Sequence, residues 1–494
     1  MTDAPRPEAR APRGFNDRRA RDLAAERQIL TKVSAVYERY GFEAFDTGAF
    51  EYADALGKFL PDADRPNEGV FALQDDDEQW MALRYDLTAP LARFVAETKE
   101  GLPKPFRRYA FGTVWRNEKP GPGRFREFTQ CDADTVGSAR PEADAEIIAM
   151  AVEGLEAAGL PAGSAVIKIN NRKLLNGLLT TAGVKDEGQK LAVLRAVDKL
   201  DRLGPDGVRL LLGEGRKDES GAFTKGAGLS AAGAEAVLAF TAAGVGGRTE
   251  TLDQIANIIG GSPEGDAGLA ELAAINQALT SLGVGVDRAV FDPSIVRGLE
   301  YYTGAVFEAE LLLKTKDEKG RGVRFGSIGG GGRYDDLVAR FTGEQVPATG
   351  FSFGVSRLVS ALRAAGRDLG GETRGPVVVI AFTPDDMAHY FAVVGELRNA
   401  GIAAEVYLGS AGMKAQMKYA DRRISPAAIM LGGDEISAGK VTIKDLDRGR
   451  ALSSGVADNA EWRDQRPGQQ TVDRADLVAT VRKIVDAQKI ETTK

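Results

Sequence analysis

The segment WRNEKPGPGRFREFTQCDAD, Trp115 to Asp134, sets Arg116, Arg124 and Arg126 around a Pro-Gly-Pro-Gly loop and ends in a run carrying Gln130, Asp132 and Asp134. Read as a strand, its second half alternates. Arg124, Arg126, Phe128, Gln130, Asp132 and Asp134 share one side, and Phe125, Glu127, Thr129, Cys131 and Ala133 share the other. The first side is polar along most of its length, so it either meets water through cross-strand ion pairs or holds a polar ligand. Two features favour a ligand: the loop Glu118 to Gly123 suits close backbone approach, and Arg116 is expected across the hairpin from Arg124, where like charges converge. Converging guanidinium groups need an anion between them, and phosphate matches their planar donors.

Other segments carry groups of the same kind. In LRYDLTAP, Asp86 and Thr88 fall on one face if the segment is extended. In IVRGLEYYTGAVFE, Arg297 precedes Tyr301 and Tyr302, two aromatics that in a strand ordinarily pack in a core. The run Gly329 to Gly332 reads either as a flexible turn or as bare backbone that lets a ligand approach, ahead of a helix beginning near Tyr334. On MKAQMKYADRR, Lys414, Lys418 and Arg422 form a basic stripe at i, i+4 and i+8, opposite an apolar face of Met413, Met417, Ala420 and Ile424. Such a stripe is often only solvated surface.

Composition restricts the chemistry. The 494 residues suffice for two to four domains, and 43% hydrophobic with 27% charged residues is ordinary for a globular chain. One cysteine, Cys131, excludes an internal disulfide framework and cysteine-rich zinc sites; one histidine, His389, argues against histidine general bases, Ser-His-Asp triads and histidine-ligated zinc. Chemistry must rest on Arg, Lys, carboxylates, Tyr and backbone. No signal-peptide pattern and no apolar run near 18 residues is found, so a cytoplasmic protein without membrane association is expected. The net charge of −7 argues against wholesale coating of nucleic acid and leaves local basic patches open.

The elements that must position these groups follow from periodicity. Residues 1–17, rich in Pro, Arg and Ala, read as a mobile N-terminal arm, and Leu23 to Tyr40 as a helix stopped by Gly41. Phe42 to Phe50 reads as a strand, Gly69 to Leu87 as a hairpin around Asp75-Asp76-Asp77, and Phe106 to Asp134 as a second hairpin. A helix (142–158) and a strand (165–170) complete a first part, 18–184. Residues 185–285, Ala-, Gly- and Leu-rich, are helical throughout in pattern and suggest an inserted helical domain. Strands resume over 286–365, a Gly- and Arg-rich linker spans 366–375, and 376–494 alternates strand and helix as in a small α/β domain with a largely parallel sheet.

Arg116-x-Glu118 followed by Arg124-Phe125-Arg126-Glu127-Phe128 and Gln130 resembles motif 2 of class II aminoacyl-tRNA synthetases, and QCDADTVG narrows the likeness to the histidyl enzymes. LRYDLTAP resembles that family's amino-acid-binding hairpin, IVRGLEYYTGAVFE its histidine-specific signature, and GGGGRYDDLV with GFSFGVSRL its tyrosine-bearing segment and motif 3. MKAQMKYADRR and GKVTIKDL fit its terminal domain. The resemblance runs from about Gly14 to the end. It implies an α+β catalytic domain, an antiparallel sheet with flanking helices, carrying a helical insertion and a C-terminal α/β anticodon-binding domain.

It also implies a reaction and its residues. L-histidine would be activated by ATP, bound with Mg2+ and without a protein-ligated metal, and passed to histidine tRNA by a homodimer. Arg116 would grip the α-phosphate, Glu118 lie near adenine, Arg124 reach the outer phosphates, Phe125 stack on adenine and Arg357 bind the γ-phosphate. Arg297 would touch both the α-phosphate and the histidine carboxylate and, with Arg116, carry the catalysis. Asp86, Thr88 and Gln130 would accept from the ammonium; Asp134 and Tyr302 would meet the imidazole nitrogens, with Tyr301 and Tyr334 shaping the pocket. Lys119, Lys414, Lys418 and Arg422 would contact tRNA. The alternatives are a non-charging histidine-sensing paralogue that regulates histidine biosynthesis, and a synthetase of another specificity. Because Gln130 and Asp134 lie ~13 Å apart on an extended strand, Arg124 reaches the same ligand only if the strand start bends.

Two positions depart from the family pattern. Gly48 stands where motif 1, part of the dimer interface, typically has proline. The motif 2 loop, Lys119-Pro120-Gly121-Pro122-Gly123, offers one charged side chain where many bacterial relatives use polar groups to read the extra 5′ guanosine of histidine tRNA. A transcript lacking that guanosine is therefore expected to be charged nearly as well as the full one; comparing kcat/KM for the two transcripts tests this, and a loss of several hundredfold would sink it.

Overall fold

A computed structural model describes residues 7–59, 69–98, 100–121, 124–184, 186–217, 221–244, 246–259, 261–296, 301–316, 320–323, 325–367, 369–370, 374–453 and 468–491. Arg297, Pro122 and Gly123 lie outside the described residues. The chain divides into two compact units, 1–370 and 371–494.

In the first unit α1 (Ala20–Arg39) leads to β1 (Glu43–Ala44), β2 (Phe50–Tyr52), β3 (Ala72–Gln74), β4 (Trp80–Leu83), α2 (Thr88–Glu97), β5 (Phe106–Trp115), β6 (Glu127–Val136), α3 (Pro141–Ala157) and β7 (Ala165–Asn171). Then come α4 (Arg172–Thr181), α5 (Glu187–Val197), α6 (Leu200–Leu212), the hairpin β8 (Gly215–Lys217) and β9 (Phe223–Lys225), α7 (Ala231–Ala242), α8 (Arg248–Ile259) and α9 (Pro263–Ser281). The unit closes with β10 (Ala289–Phe291), β11 (Ala305–Leu311), β12 (Thr315–Lys316), β13 (Gly322–Val323), β14 (Ser327–Arg333), α10 (Ala339–Thr342), β15 (Ala348–Gly354) and α11 (Val355–Ala364).

Eight strands form one sheet in the order β1-β5-β6-β15-β14-β11-β7-β10, antiparallel at its centre and parallel only at its edges. Alternation gives this sheet two unlike faces. One presents Tyr109, Cys131, Ala133, Phe351, Phe353, Phe307, Ile167 and Ile169 to α1, α3 and α11, where they join Ile29, Val33, Ile148 and Leu358 in one buried apolar cluster. The cluster continues into 185–285 through Val193, Leu211, Phe240, Ile255 and Leu272. The other face carries Arg108, Gln130, Asp132 and Asp134 together with Gly112, Gly330, Gly332, Gly350 and Gly354.

Several expectations change. Phe42 to Phe50 is not one strand: β1 joins the large sheet and β2 a three-stranded sheet with β4 and β3. The cause is Arg84, 5% exposed, which donates to Asp46 Oδ1 at 2.9 Å and to the Thr47 carbonyl at 2.7 Å and so pulls the intervening residues into a loop. Residues 185–285 contain the β8–β9 hairpin as well as helices. Gly329 to Gly332 is a strand interior rather than a turn, and the helix expected near Tyr334 begins only at Ala339. The first residues are tied down from Gly14, whose carbonyl accepts from Arg126 N at 3.0 Å, and Phe15 packs edge-on to Phe71 with ring centres 5.7 Å apart.

The second unit contains β16 (Val377–Ile380), α12 (Met387–Asn399), β17 (Ala404–Val406), α13 (Met413–Arg422), β18 (Ala427–Met430), α14 (Gly433–Ser437), β19 (Lys440–Asp445), α15 (Leu446–Ser453), β20 (Gln469–Asp473) and α16 (Leu477–Glu491). Its sheet, β17-β16-β18-β19-β20, is mixed rather than largely parallel. β16 pairs parallel with β17 and β18, but β19 and β20 return antiparallel. The short α14 ends at Gly439, whose φ of 65° lets the chain reverse without a crossover. On α13 the apolar face is also narrower than expected. Met413 is 51% exposed and Ile424 lies beyond the helix at φ 55°, while the buried Gln416 binds the Ala381 amide and carbonyl and the Ala411 carbonyl.

Arg333 fastens β14 to the start of α3. It donates to Asp144 Oδ2 at 2.7 Å and to the Ser138 and Arg140 carbonyls, and both side chains are almost fully buried. Burial pushes Asp144 up to about 6 even so, with Arg333 opposing. Arg333→Met strands that carboxylate and is expected to cost about 3–5 kcal/mol, the range for breaking a buried pair from one side; the midpoint of chemical denaturation checks it, and an unchanged midpoint would refute it.

Candidate active site

The polar face of the large sheet can be read row by row from the strand registers. Arg108, Asp134, Gly350, Gly332 and Val306 lie side by side on β5, β6, β15, β14 and β11; the next row holds Ala110, Asp132, Ser352, Gly330 and Glu308; the next, Gly112, Gln130 and Gly354. Opposed residues of antiparallel strands point to the same side, so small residues form a trough floored by main chain and walled by charged and polar groups. The glycines are required. A Cβ on Gly350 would stand 1.9 Å from Asp134 Oδ1, and one on Gly332 would stand 2.9 Å from Tyr302 Cδ1.

Asp134 thus stands beside Gly350 and Tyr302 beside Gly332, on either side of a floor whose β6 and β14 backbones lie two strand spacings apart, ~10 Å. Tyr334, following β14, donates its hydroxyl to Asp134 Oδ1. Tyr301 packs against both other tyrosines, at ring distances of 5.3 Å to Tyr302 and 5.7 Å to Tyr334. Its own hydroxyl is buried with no partner among the described residues, and burial holds it well above the usual phenol range. The two tyrosines expected in a strand precede β11 instead, so they stand over the trough rather than within the sheet. Gln130 donates Nε2 to Ser352 Oγ at 3.0 Å, which leaves Oε1 buried and without a partner among the described residues. That is a vacant acceptor facing the trough.

Asp86 does reach this side, but it and Thr88 are not strand neighbours. Asp86 sits in the turn before α2 and accepts from the amides of Thr88 and Ala89 at 3.1 and 2.8 Å, because a carboxylate there satisfies free N–H groups of the helix start. Burial raises its pKa, while these amides and the Arg116 guanidinium oppose the rise.

At the other end of the face the register places Arg116 opposite Arg126, not Arg124: Arg116 N donates to Arg126 O at 2.9 Å. β6 begins only at Glu127, after a bend at Arg126, and the exposed Arg124 closes the loop through paired backbone bonds with Gly121. Arg116 holds its guanidinium 5.3 Å above the Phe128 ring and donates Nε to the Tyr85 carbonyl at 3.1 Å. Phe125 is not on this face. Alternation and the bend turn it to the α1 and α11 side, where it lines a cavity of about 240 Å³ with Arg18, Glu26, Glu127 and Arg363. The ring on the arginine side is Phe128. Glu118 and Lys119 are exposed in the loop, and Arg357 begins the first turn of α11 and donates to the Phe325 carbonyl. In the second unit Lys414, Lys418 and Arg422 all lie exposed along α13.

The sequence reading gives no role to two members of the buried cluster. Arg108, wholly buried, stands 2.8 Å from Asp134 Oδ2, and Asp132 is buried on the row above. Alternation already sets Asp132 on this face, and Arg108 follows because it opposes Asp134 once the hairpin register is known. Among the described residues no group of three His, Cys, Asp or Glu side chains is placed to hold a metal ion.

An antiparallel sheet flanked by helices, with arginines at one end of a glycine-floored trough and a mixed α/β unit after it, is the arrangement of a class II aminoacyl-tRNA synthetase catalytic domain joined to an anticodon-binding domain. A histidyl-tRNA synthetase family model matches residues 14–358, and an anticodon binding domain model matches 376–484. A histidine–tRNA ligase of Caulobacter vibrioides is 77% identical over 97% of this chain and 97% of its own. The crystal structure of histidyl-tRNA synthetase from Nostoc sp. PCC 7120 superposes with a TM-score of 0.70 at 29% identity, covering 97% of this chain and all of that one. A Bacillus halodurans structure titled as an ATP phosphoribosyltransferase regulatory subunit/histidyl-tRNA synthetase shares the fold, with a TM-score of 0.65 at 23% identity over 83% of this chain and 96% of its own. The chain belongs to the histidyl-tRNA synthetase family.

Because the trough depends on main chain at its floor, Gly350→Ala is expected to displace Asp134 and raise the KM for histidine at least ~10-fold, as overpacking of a filled site does. Histidine-dependent ATP–pyrophosphate exchange measures it, and an unaltered KM would contradict this geometry.

Proposed function

We propose the following account of how this chain works as a histidine–tRNA ligase. Histidine and ATP give histidyl-adenylate and pyrophosphate, and histidine then passes to the 3′ end of its tRNA. In the first step a carboxylate oxygen attacks the α-phosphorus in line, forming the acyl–phosphate bond as the bond to pyrophosphate breaks. Arg116 supplies positive charge at that phosphorus, and Phe128 beneath it offers a ring for the base in place of Phe125. Arg297, outside the described residues, is assigned by resemblance to the α-phosphate and the substrate carboxylate, Arg124 to the outer phosphates, Glu118 to the adenine side and Arg357 to the γ-phosphate. Mg2+ enters on the phosphates of ATP.

The carrying observation for the amino-acid site is the vacant Gln130 acceptor beside a buried carboxylate at the glycine-cleared trough. Asp86, Thr88 and Gln130 take the ammonium, Asp134 and Tyr302 take the two imidazole nitrogens, and Tyr301 and Tyr334 close the sides. A carboxylate set against a ring N–H discriminates strongly against isosteres that lack one.

Transfer RNA is engaged by the second unit, with the α13 stripe of Lys414, Lys418 and Arg422 set against phosphate, and by Lys119 of the loop. A homodimer is supported by the outer face of the small sheet. Phe50, Tyr52 and Leu73 are 46%, 56% and 44% exposed there, on registers shared with Met81 and Leu83, and a second copy of this chain would cover them. No described helix is long and apolar enough to cross a membrane; a cytoplasmic location follows from the reaction. The paralogue reading is disfavoured by the match to an anticodon binding domain over 376–484.

Histidine-dependent ATP–pyrophosphate exchange followed by charging of histidine tRNA tests the account. Arg116→Ala is expected to lower kcat for exchange by about 10²–10³-fold, as loss of one transition-state donor does. Exchange without charging would favour the paralogue, and full activity in Arg116→Ala would remove that arginine from the mechanism.

A further inference from the structure

Asp134, read above as the acceptor for the imidazole N–H, is hydrogen-bonded on one oxygen and ion-paired at the other, Oδ2, which has no hydrogen-bond partner among the described residues. Tyr334 donates to Oδ1, and the Arg108 guanidinium lies 2.8 Å from Oδ2. An ionised carboxylate offers about four lone-pair directions, so a further donor can still be received. Arg108 has no side-chain exposure and donates to the Leu87 carbonyl at 2.8 Å; its Nε and Nη1 are buried without a hydrogen-bond partner among the described residues.

The groups facing Asp134 are mostly acidic. Asp86 approaches from the turn before α2, Asp132 from its own strand and Tyr334 from the end of β14, with Tyr37 of α1 and Cys131 behind the sheet; β15 contributes the uncharged Gly350 and Ser352. Arg108 from β5 is the cation among them. Burial raises the carboxyls, Asp132 up to about 7; Asp86 adds to the rise at Asp134 and Asp132, and Asp134 to that at Asp132, while Arg108 opposes at all three. A guanidinium with two spare buried donors is a poor way to fill apolar space. It suits a place where three carboxyls converge and one must stay charged.

We propose that Arg108 is a positioning residue for histidine, holding the Asp134 carboxylate ionised and oriented so that it accepts the imidazole N–H. The inference rests on the reading of Asp134 as that acceptor. Without the cation, Asp134 takes up a proton; the protonated oxygen becomes a donor, and acceptance from the ring N–H weakens. Since losing a cation raises the carboxyl pKa, ionised Asp134 returns as pH rises, and histidine binding recovers in that direction.

The test compares full-length Arg108→Gln, Arg108→Lys and Asp134→Asn in histidine-dependent ATP–pyrophosphate exchange, above about pH 7, where free imidazole is largely neutral. Arg108→Gln is expected to raise the histidine KM roughly 10- to 100-fold at neutral pH, less as pH increases, with little effect on the ATP KM. Arg108→Lys keeps the charge and should raise it only about two- to fivefold. An Arg108→Gln enzyme that melts cooperatively like the parent and keeps its histidine KM and pH profile overturns the proposal. So does an Arg108→Lys enzyme impaired as badly as Arg108→Gln with no pH dependence, which would show a role in shape alone. If Arg108→Gln does not fold, Arg108→Lys decides: a raised histidine KM with the ATP KM unchanged supports the role, and no change in either refutes it. Should Asp134→Asn leave the histidine KM unaltered, it is the reading of Asp134 that fails; a raised KM there beside an indifferent Arg108→Gln dismisses Arg108 alone.

Discussion

Burying ionised groups inside a sheet is costly, and this chain does so where three carboxyls and one guanidinium meet above β5 and β6. Much of the surrounding architecture serves that placement. A charge removed from water persists only with a partner close by; the cluster supplies partners through Arg108, Tyr334 and the amides that begin α2, while Arg108 Nε and Nη1, both Asp132 oxygens and Asp134 Oδ2 have no hydrogen-bond partner among the described residues. The same absence of water strengthens whatever an incoming ligand adds. Order at one end of the trough thus comes from electrostatics, whereas at its apolar end it comes from Phe106, Val136, Ala348 and Tyr334 packed beneath Leu91 and Ala92 of α2.

The two faces of the sheet divide the work. The apolar side, with Cys131, Ala133, Phe351 and Phe353 against α1, α3 and α11, contributes the hydrophobic driving force. It can be packed tightly because nothing needs to enter it. The polar side is left thin by Gly112, Gly330, Gly332, Gly350 and Gly354, and that thinness would be a weakness if both faces were alike. Strand pairing across six central strands compensates, since each glycine-bearing strand is hydrogen-bonded on both sides. Arg333 and Asp144 add a second buried clamp where β14 meets the start of α3.

Much of this was legible in the sequence. The helix stopped by Gly41, the β5–β6 hairpin, the strand at β7 and the strand–helix order of the second unit all follow from periodicity and punctuation, because those segments are long or cleanly patterned. The class of fold came from motif resemblance in the right order. What stayed hidden depended on contacts between distant residues. Arg84 folding the loop at Asp46 and Thr47, Asp86 capping α2, and Gln416 replacing an apolar contact are side-chain to backbone bonds that hydrophobic pattern does not encode. Phe125 was assigned to the nucleotide by its place in a motif, yet a single bend decides which ring faces Arg116. Arg108 was missed because its neighbours are set by strand register, which one strand read alone does not reveal.

The glycine floor has a consequence for redesign. Pockets walled by large side chains can be widened by trimming them, and new specificities are often reached that way. Here Gly332 and Gly350 have nothing left to remove, and any added atom collides with Tyr302 or Asp134. The depth of the trough is fixed by the polypeptide itself. If the trough holds the imidazole as proposed, bulkier analogues would have to be accommodated by moving strands or altering the tyrosine rim, and the limit on retargeting would lie in the backbone.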